Sequence, residues 1–202
     1  LDEIYCVLAD GYAHVTAATV SITVSQIYTV LGNFIVAQLG IAASQVVQGY
    51  QNRTAMPTPA SAGFVVMTAI AKKRLRTNID TYSGTSSPAP APGPVTSEQG
   101  QQIDVQLDCY GPQSSEWADI LTTLLRDNVG CMALAPVCQP LYADDPMRAP
   151  LTNAEAQYED RWIVTARLQY NPVVTTSQDY ATTLGPVNTV DVTPTGFAPP
   201  LP

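Results

Sequence analysis

The residues best spaced for chemistry are two adjacent carboxylates, Asp144 and Asp145, in the run PLYADDP. Such a pair could hold a divalent metal or share a proton. Asp ahead of Pro146 is also ordinary turn chemistry, and the turn is the expected role. Glu155, Glu159 and Asp160 stand just before Arg161, where surface ion pairing accounts for them. The single histidine, His14, has no serine or cysteine motif beside it. There is no GxSxG nucleophile elbow and no GxxxxGK phosphate loop. Without a nucleophile–base pair the chain is expected to be no enzyme, with no catalytic, cofactor-binding or metal residues and no cofactor.

Four cysteines, Cys6, Cys109, Cys131 and Cys138, show no CxxC spacing, and one histidine cannot supply the missing zinc ligands. They are expected to be free and buried, Cys109 on a core-facing strand position.

One cluster stands out by charge. Lys72, Lys73, Arg74 and Arg76, in KKRLR, are four of the nine cations within five residues. They are the candidate contacts, either with an acidic neighbouring subunit or with DNA phosphate; a solvated strand end is the bland alternative. The rest of the chain is acidic, with a net charge of −8, so a protein that wraps duplex DNA is not expected. A weakly repelling wall is compatible with that charge.

The elements that must position these residues begin with Gln101–Val129. Ile103, Val105, Leu107 and Cys109 alternate with Gln102, Asp104, Gln106 and Asp108, the period of a half-buried strand. Gly111-Pro112 then breaks the pattern, with Pro112 at the first helical position. Trp117, Ile120, Leu121, Leu124 and Leu125 follow at helical spacing, with Arg126 in the last turn. The spacing predicts a helix over Pro112–Asn128 folded back on the strand.

Upstream, Leu1–Ala18 has no clear period, and Val20, Ile22 and Val24 form a short strand-like run. Ser25 is the expected N-cap of a helix over Ser25–Leu39, striped by Ile27, Val30, Leu31, Phe34 and Ile35 and ended by Gly40. Val46-Val47 opens a short strand, and Gly49–Gly63 is expected to be a loop. Phe64–Arg76 is the next strand. Val65, Met67, Ala69, Ala71 and Leu75 are expected on its core face, with Lys72, Arg74 and Arg76 opposite.

Thr81–Gly100, rich in Pro, Ser and Gly, is predicted to be a long flexible hairpin connection with no packed element. Residues 131–153 read as short apolar pieces cut by prolines. The last strand is Arg161–Asn171, with Trp162, Val164, Ala166, Leu168 and Tyr170 sharing a face. Val173–Pro202, without a single Lys or Arg, reads as an extended arm.

At 202 residues the chain suits one domain with appendages. Its charged fraction of 13% is low for a solvated surface, which points to polar uncharged cover or to burial by other subunits. No stretch approaches the roughly 20 apolar residues that span a bilayer. No signal peptide is visible, and since the first residue is Leu1 rather than Met, the true N-terminus is expected upstream.

A series of fragments, in order, resembles a known family. These are QNR (51–53), Arg74–Asn78, DCYGP (108–112), Trp117-Ala118, PLYADDP (140–146), EAQYEDRW (155–162) and LQYNP (168–172). Together they are similar to the tail-terminator or gateway-like neck proteins of contractile-tailed bacteriophages, over Ile22–Pro172. The resemblance implies a virion protein of the head–tail junction, assembled in the host bacterial cytoplasm as a homo-oligomeric, hexameric ring. Such a ring ends growth of the tail tube and sheath. Its implied partners are the tail tube protein, the tail sheath protein and the collar or head–tail adaptor protein, with genomic double-stranded DNA passing through without sequence specificity and no membrane. DCYGP is then the strand-to-helix corner, and LYADDP orders the loop after the helix.

The expected fold class is α+β, an antiparallel β-sheet with two main helices packed on one face, plus extended N- and C-terminal arms. The expected organisation is an arm at 1–20, a core domain at 21–172 carrying the Pro-rich loop 81–100, and an arm at 173–202. The rivals are a collar or head-completion protein nearer the portal and, from another class, a secreted carbohydrate-binding β module. Two amphipathic helices argue against the β module.

Overall fold

The structure is a computed structural model that describes residues 17–50, 63–83, 93–149, 151–152 and 158–178. His14, Cys6, QNR, Glu155 and the outer parts of both arms and both long loops lie outside these residues. The elements run β1 (Thr19–Val20), α1 (Val24–Leu39), β2 (Val46–Gln48), β3 (Phe64–Arg74), β4 (Ile79–Tyr82), β5 (Gly93–Glu98) and β6 (Gln101–Tyr110). Then come α2 (Ser114–Leu125), α3 (Asn128–Leu134), β7 (Gln139–Ala143), β8 (Met147–Arg148), β9 (Leu151–Thr152), β10 (Tyr158–Glu159), β11 (Arg161–Tyr170) and β12 (Val173–Gln178). The fold is α+β.

The main sheet has the order β2-β3-β6-β11-β7, with β8 also paired to β11. Its ladders are antiparallel except that β2 runs parallel to β3. The expected core face of β6 holds: Ile103, Val105, Leu107 and Cys109 are fully buried. Val164, Ala166, Leu168 and Tyr170 of β11 lie beside them, and Ile27, Leu31, Phe34 and Ile35 of α1 close over the same face. Helix α2 adds Trp117, Ala118, Leu121 and Leu125, and α3 adds Leu134. Helices on one sheet face rule out a two-sheet β module.

Several local expectations change. Helix α1 starts at Val24 because Thr23, not Ser25, caps it. The Thr23 hydroxyl accepts from Gln26 N–H (3.3 Å) while Gln26 Oε1 accepts from Thr23 N–H (2.7 Å), a reciprocal capping box that satisfies two orphan donors. Gly40, at φ 64°, ends the helix in the left-handed conformation.

At the DCYGP corner Gly111 takes φ 103° and Pro112 lies in the turn, so α2 begins at Ser114 rather than Pro112. Ile120 faces solvent, and Ser114 and Thr122 take buried places on the packed side. The helix also stops early. Arg126 turns away to bond the Ala143 carbonyl (2.8 Å), and Asp127 accepts from Asn128 N–H (2.6 Å) to start α3. LYADDP divides: Leu141–Ala143 belong to β7, and Asp144–Pro146 form the loop to β8, held by the Arg167 and Arg126 ion pairs. Pro140 is tolerated in β7 because this is the last strand of the path, where one side of the ladder needs no donor.

The largest change is a second sheet of order β1-β12-β5-β4. Residues 93–98, read as connection, form β5, paired with β4 on one side and β12 on the other. Residues 173–178, read as arm, form β12. Main-sheet strands β3, β6 and β11 pair side by side, and so do β4, β5 and β12, their direct continuations in the chain. Three long strands therefore run through both sheets and break at one level, at Leu75–Asn78, Gln99–Gly100 and Asn171-Pro172. Leu75 N–H bonds the Gly100 carbonyl (2.9 Å) and Gln99 N–H bonds that of Pro172 (3.1 Å) across this fold line. The second sheet is called distal below.

Candidate functional site

Strand β3 is longer than the helix layer that covers it. Phe64–Thr68 are buried, Ala69 is partly buried, and Ile70–Arg74 are exposed. Between these halves Ile70 is an extra residue, since Ala69 pairs with Val105 while Ala71 pairs with Asp104. A one-residue slip moves every later side chain to the other face. The bulge also takes Ala69 N–H out of the ladder, and the Tyr28 hydroxyl of α1 accepts from it at 2.7 Å.

This bulge overturns the expected faces of the basic cluster. Lys72 lies opposite Ile103 and Arg74 opposite Gln101, on the side of the buried β6 residues, while Lys73 lies opposite Gln102 on the other side. Ala71 and Leu75, expected in the core, are exposed. Lys72 Nζ stands 5.8 Å from the centre of the Tyr170 ring, a cation–π distance. The Tyr170 hydroxyl in turn donates to Gln101 Oε1 (2.7 Å). Arg76, beyond the strand, pairs with Glu98 of β5.

The ion pairs make the cluster distinctive. Five arginines each have a carboxylate: Arg76 with Glu98, Arg126 with Asp145, Arg148 with Asp160, Arg161 with Asp108 and Arg167 with Asp144. Among the described residues, the cations without one are Lys72, Lys73 and Arg74. In an acidic chain these are three consecutive cations with no ion pair among the described residues. Exposed apolar side chains adjoin them in sequence: Ile70, Leu75, and Ile79 and Tyr82 of β4. Sequence reasoning passed over Ile79 and Tyr82, although IDTY has the β-forming composition of a strand.

The other candidates resolve into structural roles. Asp144 and Asp145 do not converge; each takes its own arginine, at 3.0 and 2.6 Å. The hydrogen bond that Arg126 donates to Asp145 is the main reason its pKa is raised further, and the one Arg167 donates to Asp144 does the same there. Asp160 takes Arg148 rather than its neighbour Arg161. Arg161 instead reaches Asp108, which stands on the expected wet face of β6 and is nevertheless buried. Among the described residues no three His, Cys, Asp or Glu side chains gather to hold a metal ion.

Cys109 and Cys138 are free and buried, and Cys131 is partly exposed. Burial, helped by Asp108, pushes the Cys109 thiol up to about 12, and burial raises Cys138 to about 11. Neither is a nucleophile near neutral pH. A cleft of about 360 Å³ opens at the fold line between Ile22, Pro136, Tyr170 and Glu98. Its carboxylate is already committed to Arg76.

No described helix is long and apolar enough to cross a membrane. A family model described as phage neck terminator protein matches residues 25–198. Among curated proteins, none matches the chain. The family match takes in most of the sequence, so the chain belongs to the phage neck terminator family, structural proteins of the virion neck.

Proposed function

We propose that this member of the phage neck terminator family works as a homo-oligomeric, hexameric ring at the head–tail junction. The ring caps the tail tube and sheath, stops their growth, and presents its far side to the collar or adaptor protein under the portal. Genomic DNA passes through it without sequence-specific contact. The ring performs no catalysis and assembles in the bacterial cytoplasm.

The observation that carries this reading is the exposed outer half of β3, where Lys72, Lys73 and Arg74 make no ion pair among the described residues and adjoin apolar side chains in the sequence. A solitary protein gains nothing from concentrating its unpaired cations beside exposed Ile70 and Leu75. A subunit does, because apolar contact supplies area and charge fixes the register. The −8 charge of each copy suits a channel that must release DNA. We further read the chain as one core domain, 21–172, flanked by the segments 1–20 and 173–202, with β12 fastening the second segment to the distal sheet.

The test is the native mass of the purified protein, alone and mixed with its tail tube protein. A discrete ring that binds tube ends and halts elongation is the expected result. A monomer that neither self-associates nor binds the tube overturns the proposal.

A further inference from the structure

The ring reading leaves open which surface receives the basic strand end, and the charge distribution identifies one. Helix α2 shows solvent a stripe of Glu116, Asp119, Ile120 and Thr123, one and two turns apart, all exposed. Neither Glu116 nor Asp119 has an ion-pair partner among the described residues. The other described carboxylates are engaged or badly placed. Asp127 caps α3, Asp104 accepts from Gln102 at 2.6 Å, Glu159 has an interaction of its own, and Asp80 sits on β4, six residues after Arg74 in the chain. Asp108, Asp144, Asp145, Asp160 and Glu98 are in the five ion pairs.

Position agrees with charge. Trp117 of α2 packs close to Gly63, just before the first residue of β3. From Phe64 to Lys73 the strand advances by eight ladder positions, because Ile70 is bulged out, or about 26 Å at roughly 3.3 Å per residue. The acidic stripe therefore starts at one end of the main sheet while the basic segment lies at the other, at the fold line, too far apart to pair within one protomer. Two different patches that complement each other make a head-to-tail contact, the type that generates rings. Each also carries an exposed isoleucine, Ile70 on the strand and Ile120 on the helix, 52% and 38% accessible.

We infer that adjacent copies of this chain meet head to tail, with Lys72, Lys73 and Arg74 of one copy seated on the Glu116–Asp119–Ile120–Thr123 stripe of the next. This rests on the ring reading and names the contact that builds it. The Tyr170 ring beneath Lys72 helps to hold that side chain in place.

The experiment uses the full chain and two reversals, Lys73→Glu with Arg74→Glu, and Glu116→Lys with Asp119→Lys, with native mass as readout and circular dichroism as the check on folding. Each reversal alone is expected to abolish assembly at concentrations where the wild type is fully assembled. An equimolar mixture of the two, and a chain carrying all four changes, are expected to assemble again, because every interface regains opposite charges. Wild-type assembly with an unaffected Glu116→Lys/Asp119→Lys variant overturns this contact and leaves the ring reading standing. Loss in both variants without rescue in the mixture also overturns it, as does a salt-sensitive affinity for duplex DNA lost only with the cations. A monomeric wild type overturns contact and ring together. If a variant misfolds, carbodiimide cross-linking of the wild type decides: an intermolecular amide from Lys72 or Lys73 to Glu116 or Asp119 supports the contact, and its absence from assembled protein refutes it.

Discussion

The main and distal sheets are built from the same three strands, and they differ in what lies over them. Below the fold line, β3, β6 and β11 carry three helices and a continuous buried face. Above it, β4 is exposed throughout, β12 is never fully buried, and Gly93 and Val95 are the buried positions among the described residues of that sheet. Hydrogen-bonded pairing is alike in both sheets, so pairing is not what distinguishes them. Apolar burial dominates stability, which assigns stability to the helix-covered half and leaves the distal half available for contact.

The comparison breaks most clearly at Trp117. Replacing it with Ala empties a 4%-exposed core site and is expected to cost about 3–5 kcal/mol in urea unfolding. A loss below about 1 kcal/mol would mean that α2 does not hold the sheet.

Arg161→Ala comes next. It leaves the Asp108 carboxylate, with a 6%-exposed side chain, deprived of a partner at 2.8 Å. Because Arg161 itself is 23% exposed, solvent screening lowers the expected cost to about 2 kcal/mol. Arg161→Lys should recover part of it.

The two buried thiols sharpen the comparison through pH. Folding holds Cys109 and Cys138 protonated beyond their ordinary value of 9.0, to about 12 and 11. The folded state therefore binds more protons than the unfolded state between these values. The contribution is complete below pH 9 and falls as pH rises through that window. Unfolding midpoints should be flat in this respect up to pH 9 and decline above it. Cys109→Ala with Cys138→Ala should flatten the decline, and iodoacetamide mapped by peptide mass should find Cys131 ahead of either.

The smallest effect is expected in the distal sheet. Ile79→Ser or Tyr82→Ser, at 50% and 61% exposure, should shift stability by less than about 0.5 kcal/mol while weakening self-association. A larger stability loss would show the two halves to be one cooperative core.

What the sequence made legible follows the same division. Elements of the helix-covered half announced themselves by period: the β6 alternation, the α1 stripe, and Trp117 with Leu121 and Leu125. Helix α3 did not, because seven residues after an Asp cap are too few to show a 3.6-residue repeat. The distal strands were hidden for another reason. GPVTSE and VVTTSQ have little apolar contrast, and their pairing joins residues nearly 80 apart in the chain, a non-local fact that composition does not carry. At the candidate site the cluster itself was plain, but its faces were not. A single bulge at Ile70 inverted them, and nothing in AIAKKR signals an extra residue.

Hydrogen–deuterium exchange, comparing free subunit with assembled protein, tests the central division most directly. Slowed exchange on assembly is expected in Ile70–Arg74, in the Glu116–Thr123 stretch of α2 and in β4, β5 and β12, with β6 and β11 already protected in the free subunit and unchanged. Distal strands and an Ile70–Arg74 segment that exchange at the same rate in both states would contradict the account.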